Sequence, residues 1–235
     1  MKKAVFFLTL TLTIFFTQCD VLKEVQIPGS SGLTKDEIVR GLKEALKTGT
    51  TNAIKTLAKE NGFYLDETVK IPFPQQVDYV EKKLRALGLG SLIDNFVERM
   101  NHAAEQAVSK AGPIFYDAIT QMTITDALDI LHGADDAATQ YFREKTYPQL
   151  VETFKPDITR VLNQVHLAEY WDKVTKAYNK IPFTKKVEED LPQYVTEKTI
   201  DGLFVKLARE EKLIRTDPEA RVTDILKKVF AQAGQ

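Results

Sequence analysis

Apolar residues recur three or four positions apart along most of the chain, and that spacing predicts helices rather than strands. Ile38, Leu42, Ala45, Leu46, Ala53, Ile54 and Leu57 form the first such stripe. It opens at Thr34-Lys35-Asp36-Glu37, a capping box in which the threonine hydroxyl and the glutamate answer first-turn amides. It should close at Asn61-Gly62, where glycine takes a left-handed turn. Residues 63–74 hold Val69 and Ile71 in alternation and two prolines around Phe73, the pattern of an extended connector packed on the body. Helix resumes over residues 75–87, and Gly88-Leu89-Gly90 reads as a stop and restart.

Residues 92–111 carry the most regular stripe, with Leu92, Ile93, Phe96, Val97, Met100, Ala103, Ala104, Ala107, Val108 and Ala111 on one face. Pro113 can start the next helix. Gly133 and Pro148 punctuate the segments that follow, with Asp135 or Asp136 as N-cap of a run through Phe142. Further helices fit residues 156–165, 168–178 and 194–213. A last one begins at Thr216-Asp217-Pro218-Glu219 and buries Val222, Ile225, Leu226, Val229 and Phe230. With no convincing strand, the expected fold class is all-α. It is one multi-helix domain over residues 34–235, with about eight to eleven helices.

The first 33 residues change that picture by giving the domain an address. Lys2 and Lys3 precede an apolar stretch from Ala4 to Phe16 that is too short to span a bilayer, and Phe16-Thr17-Gln18-Cys19 stands at the cleavage position of a secretion signal. This arrangement resembles the lipobox of bacterial lipoproteins, with Gln18 where Gly or Ala is usual. Residues 1–18 are then a signal peptide, and Cys19, the only cysteine in the chain, is the lipid attachment site. A lone exposed thiol is a liability in an oxidising compartment, which favours acylation over a free cysteine. Residues 19–33 contain Pro28-Gly29-Ser30-Ser31-Gly32 and read as a flexible spacer. The expected location is the bacterial cell envelope, lipid-anchored and facing the periplasm.

Charge excludes one class of partner. Loss of Lys2 and Lys3 with the leader leaves 30 basic against 33 acidic residues, about −3 overall. Both signs are interleaved, as in Glu81-Lys82-Lys83 and Lys186-Val187-Glu188-Glu189, so no nucleic-acid footprint is expected.

Chemistry-bearing constellations are sparse. Glu98, His102 and Glu105 share a helical face but lie opposite the apolar stripe, so they read as a solvated face rather than a metal site. Asp126, Asp129, His132, Asp135 and Asp136 crowd around Gly133 without the spacing of a calcium loop, and helix capping accounts for Asp126 and Asp135. Gly88-Leu89-Gly90 lacks the third glycine of a dinucleotide fingerprint, and no phosphate loop or HExxH pattern occurs. No metal or cofactor is expected, and no catalytic residue is assigned. The run Tyr170, Trp171, Tyr178, Phe183 reads as core in preference to a ligand groove. Lys70-Ile71-Pro72-Phe73 and Lys180-Ile181-Pro182-Phe183 read as two similar helix connectors, too short to mark a repeat.

Five ordered motifs carry a family resemblance: Met100-Asn101-His102-Ala103-Ala104-Glu105; Met122 with Asp126-Ala127-Leu128-Asp129-Ile130-Leu131; Ala137-Ala138-Thr139-Gln140-Tyr141-Phe142; Tyr194-Val195-Thr196 with Asp201-Gly202-Leu203-Phe204; and Glu210-Glu211 through Ile214-Arg215 to Asp217-Pro218 and Arg221. Together they resemble the bacterial family known as domain of unknown function 4197, over roughly residues 33–230. The resemblance implies an exported, mostly helical protein, frequently a lipoprotein, with no established activity and no catalytic residue to transfer. Asn101, Glu105, Asp126, Asp201, Glu211, Arg215 and Arg221 lie within the motifs. Charged groups are seldom buried unless paired, so some of these seven are expected to form an interior network joining the 92–111 helix to the C-terminal helices. Such a network holds a fold first; a ligand site is the alternative.

Three functions fit these features. The favoured one is a non-enzymatic envelope lipoprotein that binds or supports another envelope component. The alternatives are a carrier for a lipid or other apolar small molecule, with residues 63–74 as a lid, and an enzyme of unrecognised type using Glu105, Asp126 and Arg215.

Overall fold

The computed structural model describes residues 34–164, 166–182, 190–221 and 223–232. The leader, Cys19, the spacer, Val165, Phe183, the 186–189 charge run and Val222 lie outside the described residues. Among those described there are nine α-helices and no strand. The all-α class and the single helical domain are as the apolar spacing predicts.

Helix α1 spans Lys35–Ala58 and starts on the expected capping box, with Thr34 and Glu37 bonded reciprocally. Its end differs from expectation. Asn61, not Gly62, takes the left-handed conformation, with φ 61°. Gly62 is needed for a different reason: a Cβ there would lie 2.5 Å from the Leu57 carbonyl oxygen. Residues 59–69 then run as turns, so the connector is extended only in its last part. Phe63, Val69, Ile71 and Phe73 are all buried.

The next segment begins as a 3-10 turn, Gln75–Val77, before α2, Asp78–Ala86. The glycine pair breaks the chain as expected, and α3 begins at Gly90 and ends at Val108. Helix α4, Ala111–Gln121, takes Pro113 in its first turn, where the missing amide costs nothing. Helix α5, Ile124–His132, opens on a second capping box, Thr123 with Asp126.

Helix α6 corrects the expectation most. Local pattern predicts a break at Pro148 and a separate helix over residues 156–165; instead one helix runs from Ala137 to Gln164 through both Pro148 and Pro156. Each proline removes one hydrogen bond to the carbonyl four residues earlier. Both prolines are exposed, and so are Glu144 and Glu152, whose carbonyls are freed. The freed carbonyls thus belong to solvent-facing residues, while Leu150, Phe154, Ile158 and Val161 pack continuously on the inner face.

Helix α7, Leu167–Asn179, packs on α2, α3 and α6. Helix α8, Leu191–Thr216, is the centre of the molecule, in contact with α1, α3 and α6. Buried residues occur around most of its circumference, among them Tyr194, Val195, Ile200, Leu203, Phe204 and Leu207. The buried Thr196 and Thr199 return their hydroxyls to the Pro192 and Val195 carbonyls at 2.6 Å, so they cost little in the interior. At Gly202 the absent side chain admits the Phe63 ring, which a Cβ would meet at 2.6 Å. The last helix starts later than expected: Asp217 and Pro218 open only a 3-10 turn, Pro218–Ala220, and α9 runs over Asp224–Gln232 and packs on α1. Leu226, Val229 and Phe230 of α9 are buried.

Candidate functional site

Two residues of α3 fasten the connector. Asn101, fully buried, accepts from the Ile71 amide at 2.8 Å and donates to the Ile71 and Val97 carbonyls at 2.9 and 2.8 Å. Glu105 accepts from the amides of Phe63, Tyr64 and Asn61 at 3.0, 3.1 and 3.2 Å. The expectation that Glu105 faces water is therefore wrong. Its side chain is 6% exposed, because the connector covers the flank of α3 opposite the helix core. A helical wheel counts one buried face and cannot show a second one made by a loop. His102 lies beside it, 3.5 Å from the Asn61 side chain.

A third tie to the connector was not visible in the sequence. Lys206 of α8, 5% exposed, donates to the Asp66 carboxylate and, at 3.1 Å, to the Thr68 hydroxyl. Burial works against ionising Asp66, but the hydrogen bonds from Lys206 and Thr68 outweigh it and hold the carboxyl at about 2.

Glu211 and Arg215 make a second cluster, where α5, α6 and α8 meet. Glu211 accepts from the Ala138 and Thr139 amides at 2.9 Å each and from the Thr139 hydroxyl at 2.8 Å. It thus caps α6 at its positive end, the role expected of Asp135 or Asp136. Asp136 instead accepts from the Gln140 side chain. Arg215 donates to Glu211 at 2.8 Å and to the Ile130 carbonyl at the end of α5 at 2.7 Å. Arg221 closes α8 by donating to the Ile214 and Arg215 carbonyls at 2.9 and 2.8 Å.

The seven residues singled out in the sequence therefore do not form one network. Asn101 and Glu105 staple the connector, while Glu211, Arg215 and Arg221 close helix ends. Asp201 lies at the surface, 3.3 Å from Arg143 and 3.9 Å from Lys198. Asp126 serves the capping box, where the Thr123 hydroxyl and amide hold its carboxyl below the usual range. Among the described residues, no group of three or more His, Cys, Asp or Glu side chains is placed to hold a metal ion.

Of the expected aromatic run, Tyr178 is buried in the core, while Tyr170 and Trp171 are half-buried against it. Trp171 stacks on Phe96 at 5.2 Å and lies 5.9 Å from Phe73, and Tyr178 meets Tyr79 at 5.4 Å.

Two of the cavities among the described residues bear on these polar groups. One, of about 20 Å³, is lined by Gly49, Thr50, Thr139, Phe142 and Glu211 among others. The buried Thr50 hydroxyl has no partner among the described residues. Replacing it by an isosteric methyl, Thr50→Val, should therefore stabilise the fold by about 1 kcal/mol, read as a higher urea midpoint. A loss of the same size would show that the hydroxyl is partnered in solution.

The other is an open cleft of about 300 Å³ between α4 and α6, with the start of α5 at its edge. Ile114 and Thr146 are its buried floor. Asp117 and Gln121 of α4 face Tyr141, Lys145 and Gln149 of α6, with Thr123 and Asp126 alongside. Asp126 is the only one of the seven singled-out residues in this cleft; Tyr141 lies within one of the five motifs but is not among the seven, and nothing local in the sequence brings the two faces together.

Comparison with the curated proteins and with the solved structures returns no match. The family models return one, over residues 32–231, and by that match the chain belongs to the family described as protein of unknown function, DUF4197.

Proposed function

We propose that the protein is an exported lipoprotein, held on a membrane of the bacterial envelope through acylated Cys19 and facing the periplasm. Its helical domain acts as a non-enzymatic binding or structural component. The single observation that carries the second half is how the interior charges are used. Both oxygens of Glu105 and of Glu211 already accept backbone amides, and Arg215 spans Glu211 and a helix end. Groups committed in this way hold helices and a loop in place, and are not free to move protons or attack a substrate. Glu105, Asp126 and Arg215, the trio an enzyme would need, each bond to different partners.

The carrier reading is less favoured. It needs residues 63–74 to lift as a lid, whereas Asn101, Glu105 and Lys206 tie that segment to α3 and α8.

The first half rests on Lys2, Lys3, the apolar stretch and Cys19. Among the described residues no helix is long and apolar enough to cross a membrane. Two or more acyl chains give stable attachment, since each buried methylene contributes about 0.8 kcal/mol. Labelling growing bacteria with radioactive palmitate should mark the wild-type chain, which sediments with membranes, and leave Cys19→Ala unmarked. An unlabelled, soluble wild-type product would overturn the anchor. A domain that yields no specific envelope contact on cross-linking in cells would overturn the binding role.

A further inference from the structure

We propose that the cleft between α4 and α6 binds a neutral polyhydroxylated ligand, a saccharide unit. The inference extends the binding role above by naming a ligand class, and it stands whether or not the chain is lipidated.

The shape comes first. Two helices that pack on each other normally close an apolar seam along their contact. Here the seam is closed by the Phe115 and Phe142 rings, 5.2 Å apart, with Ile114 and Thr146 as the floor of the part that widens to about 300 Å³, the lower end of the range for small-molecule sites. The widened part is lined at helical spacing from both sides, by Asp117 and Gln121 four apart on α4 and by Tyr141, Lys145 and Gln149 at intervals of four on α6.

The chemistry then selects the ligand. Inside the cleft, the Asp117 carboxylate, the amides of Gln121 and Gln149 and the hydroxyl of Tyr141 bond to no other described residue, so their donors and acceptors are unspent while converging on one space. A side-chain amide both donates and accepts, as does a phenol, and that dual character matches a sugar hydroxyl. The half-buried Tyr141 ring also lines the cleft, with the Lys145 ammonium 5.8 Å from its centroid, and adds apolar surface of the kind on which a sugar's C–H face packs. Burial, and then the carboxylates of Asp126 and Glu144, push the Tyr141 phenol upward, so it remains a donor at neutral pH. Charge argues against an anion. Asp117 and Asp126 outnumber Lys145, whose ammonium is already 3.9 Å from Glu144. A zwitterionic amino acid would need that ammonium free, which leaves the neutral hydroxyl-rich class as the best match.

The test is saturation-transfer NMR on the full chain, purified in a detergent without a sugar headgroup, with glucose and N-acetylglucosamine as probes and glycine and lysine as zwitterionic comparators. Transfer to sugar ring protons is expected. The double variant Gln121→Ala/Gln149→Ala, at two exposed positions, should weaken it about tenfold, as loss of two modest hydrogen bonds requires. Tyr141→Phe, which deletes one oxygen and preserves the ring, should weaken it less and guards against a folding defect in the double variant. The proposal is overturned if neither sugar receives transfer, if transfer is unchanged in both variants, or if the amino acids bind in a variant-sensitive way and the sugars do not. Failure of palmitate labelling would sink the anchor and leave this result intact.

Discussion

Glu211→Ala should lower the free energy of unfolding by about 4 kcal/mol, the largest single effect expected in this molecule. The Glu211 side chain is 8% exposed and that of Arg215 11%. Truncation leaves a buried guanidinium without its carboxylate and strips acceptors from the Ala138 and Thr139 amides at the start of α6. Both losses leave charged or polar groups desolvated and unpaired, which costs more than the net worth of the pair. Urea denaturation should show the midpoint falling with little change in slope. Glu211→Gln keeps one acceptor oxygen and should lose about half as much. The double variant Glu211→Leu/Arg215→Met should recover part of the loss, because an apolar pair carries no unpaired charge. A cost below about 1 kcal/mol for Glu211→Ala would mean that water, not this carboxylate, caps α6.

Asp66→Asn should cost about 2 kcal/mol at neutral pH, and the cost should vanish in acid. The folded carboxyl sits at about 2 against an ordinary 3.8, so the unfolded chain binds the proton more readily. The sign follows directly. The contribution is fully present above pH 3.8, declines between there and 2, and is lost once pH falls through the folded value. The amide of the variant has no proton to gain in that window, so the two stability curves should converge. The figure is kept modest because the Asp66 side chain is 30% exposed. Urea titrations at pH 7, 5 and 3 decide it. A gap that stays constant across those values, or no gap at pH 7, would remove the Lys206 pairing as a source of stability.

How much of this was readable from residues alone divides along the distance between partners. Thr34 and Glu37 are three residues apart, and such a local pair is legible because a helix brings it together whatever else the chain does; the capping role of Asp126 was legible too, though its partner Thr123 was named only by the structure. The stripe of α3 and the glycine break before it are legible for the same reason. The family could be named as a resemblance because its motifs are strings of consecutive residues, and the match over residues 32–231 agrees. The prolines of α6 misled because local propensity argues for a break. The continuous inner face of Leu150, Phe154 and Ile158 decides otherwise.

By itself, then, the sequence determined that this is a helical chain, where some of its helices begin, and which family it belongs to. Each of these depends on neighbours within a turn or two. Only the tertiary structure decided that Glu211 caps a helix 72 residues away, that Lys206 answers Asp66 across 140, and that Glu105 is buried under a connector rather than facing water. It also decided that polar faces of α4 and α6 meet around open space. A carboxylate has the same covalent form on a solvated face and at a buried helix end. What differs is which element packs over it, and that is a property of the assembled fold.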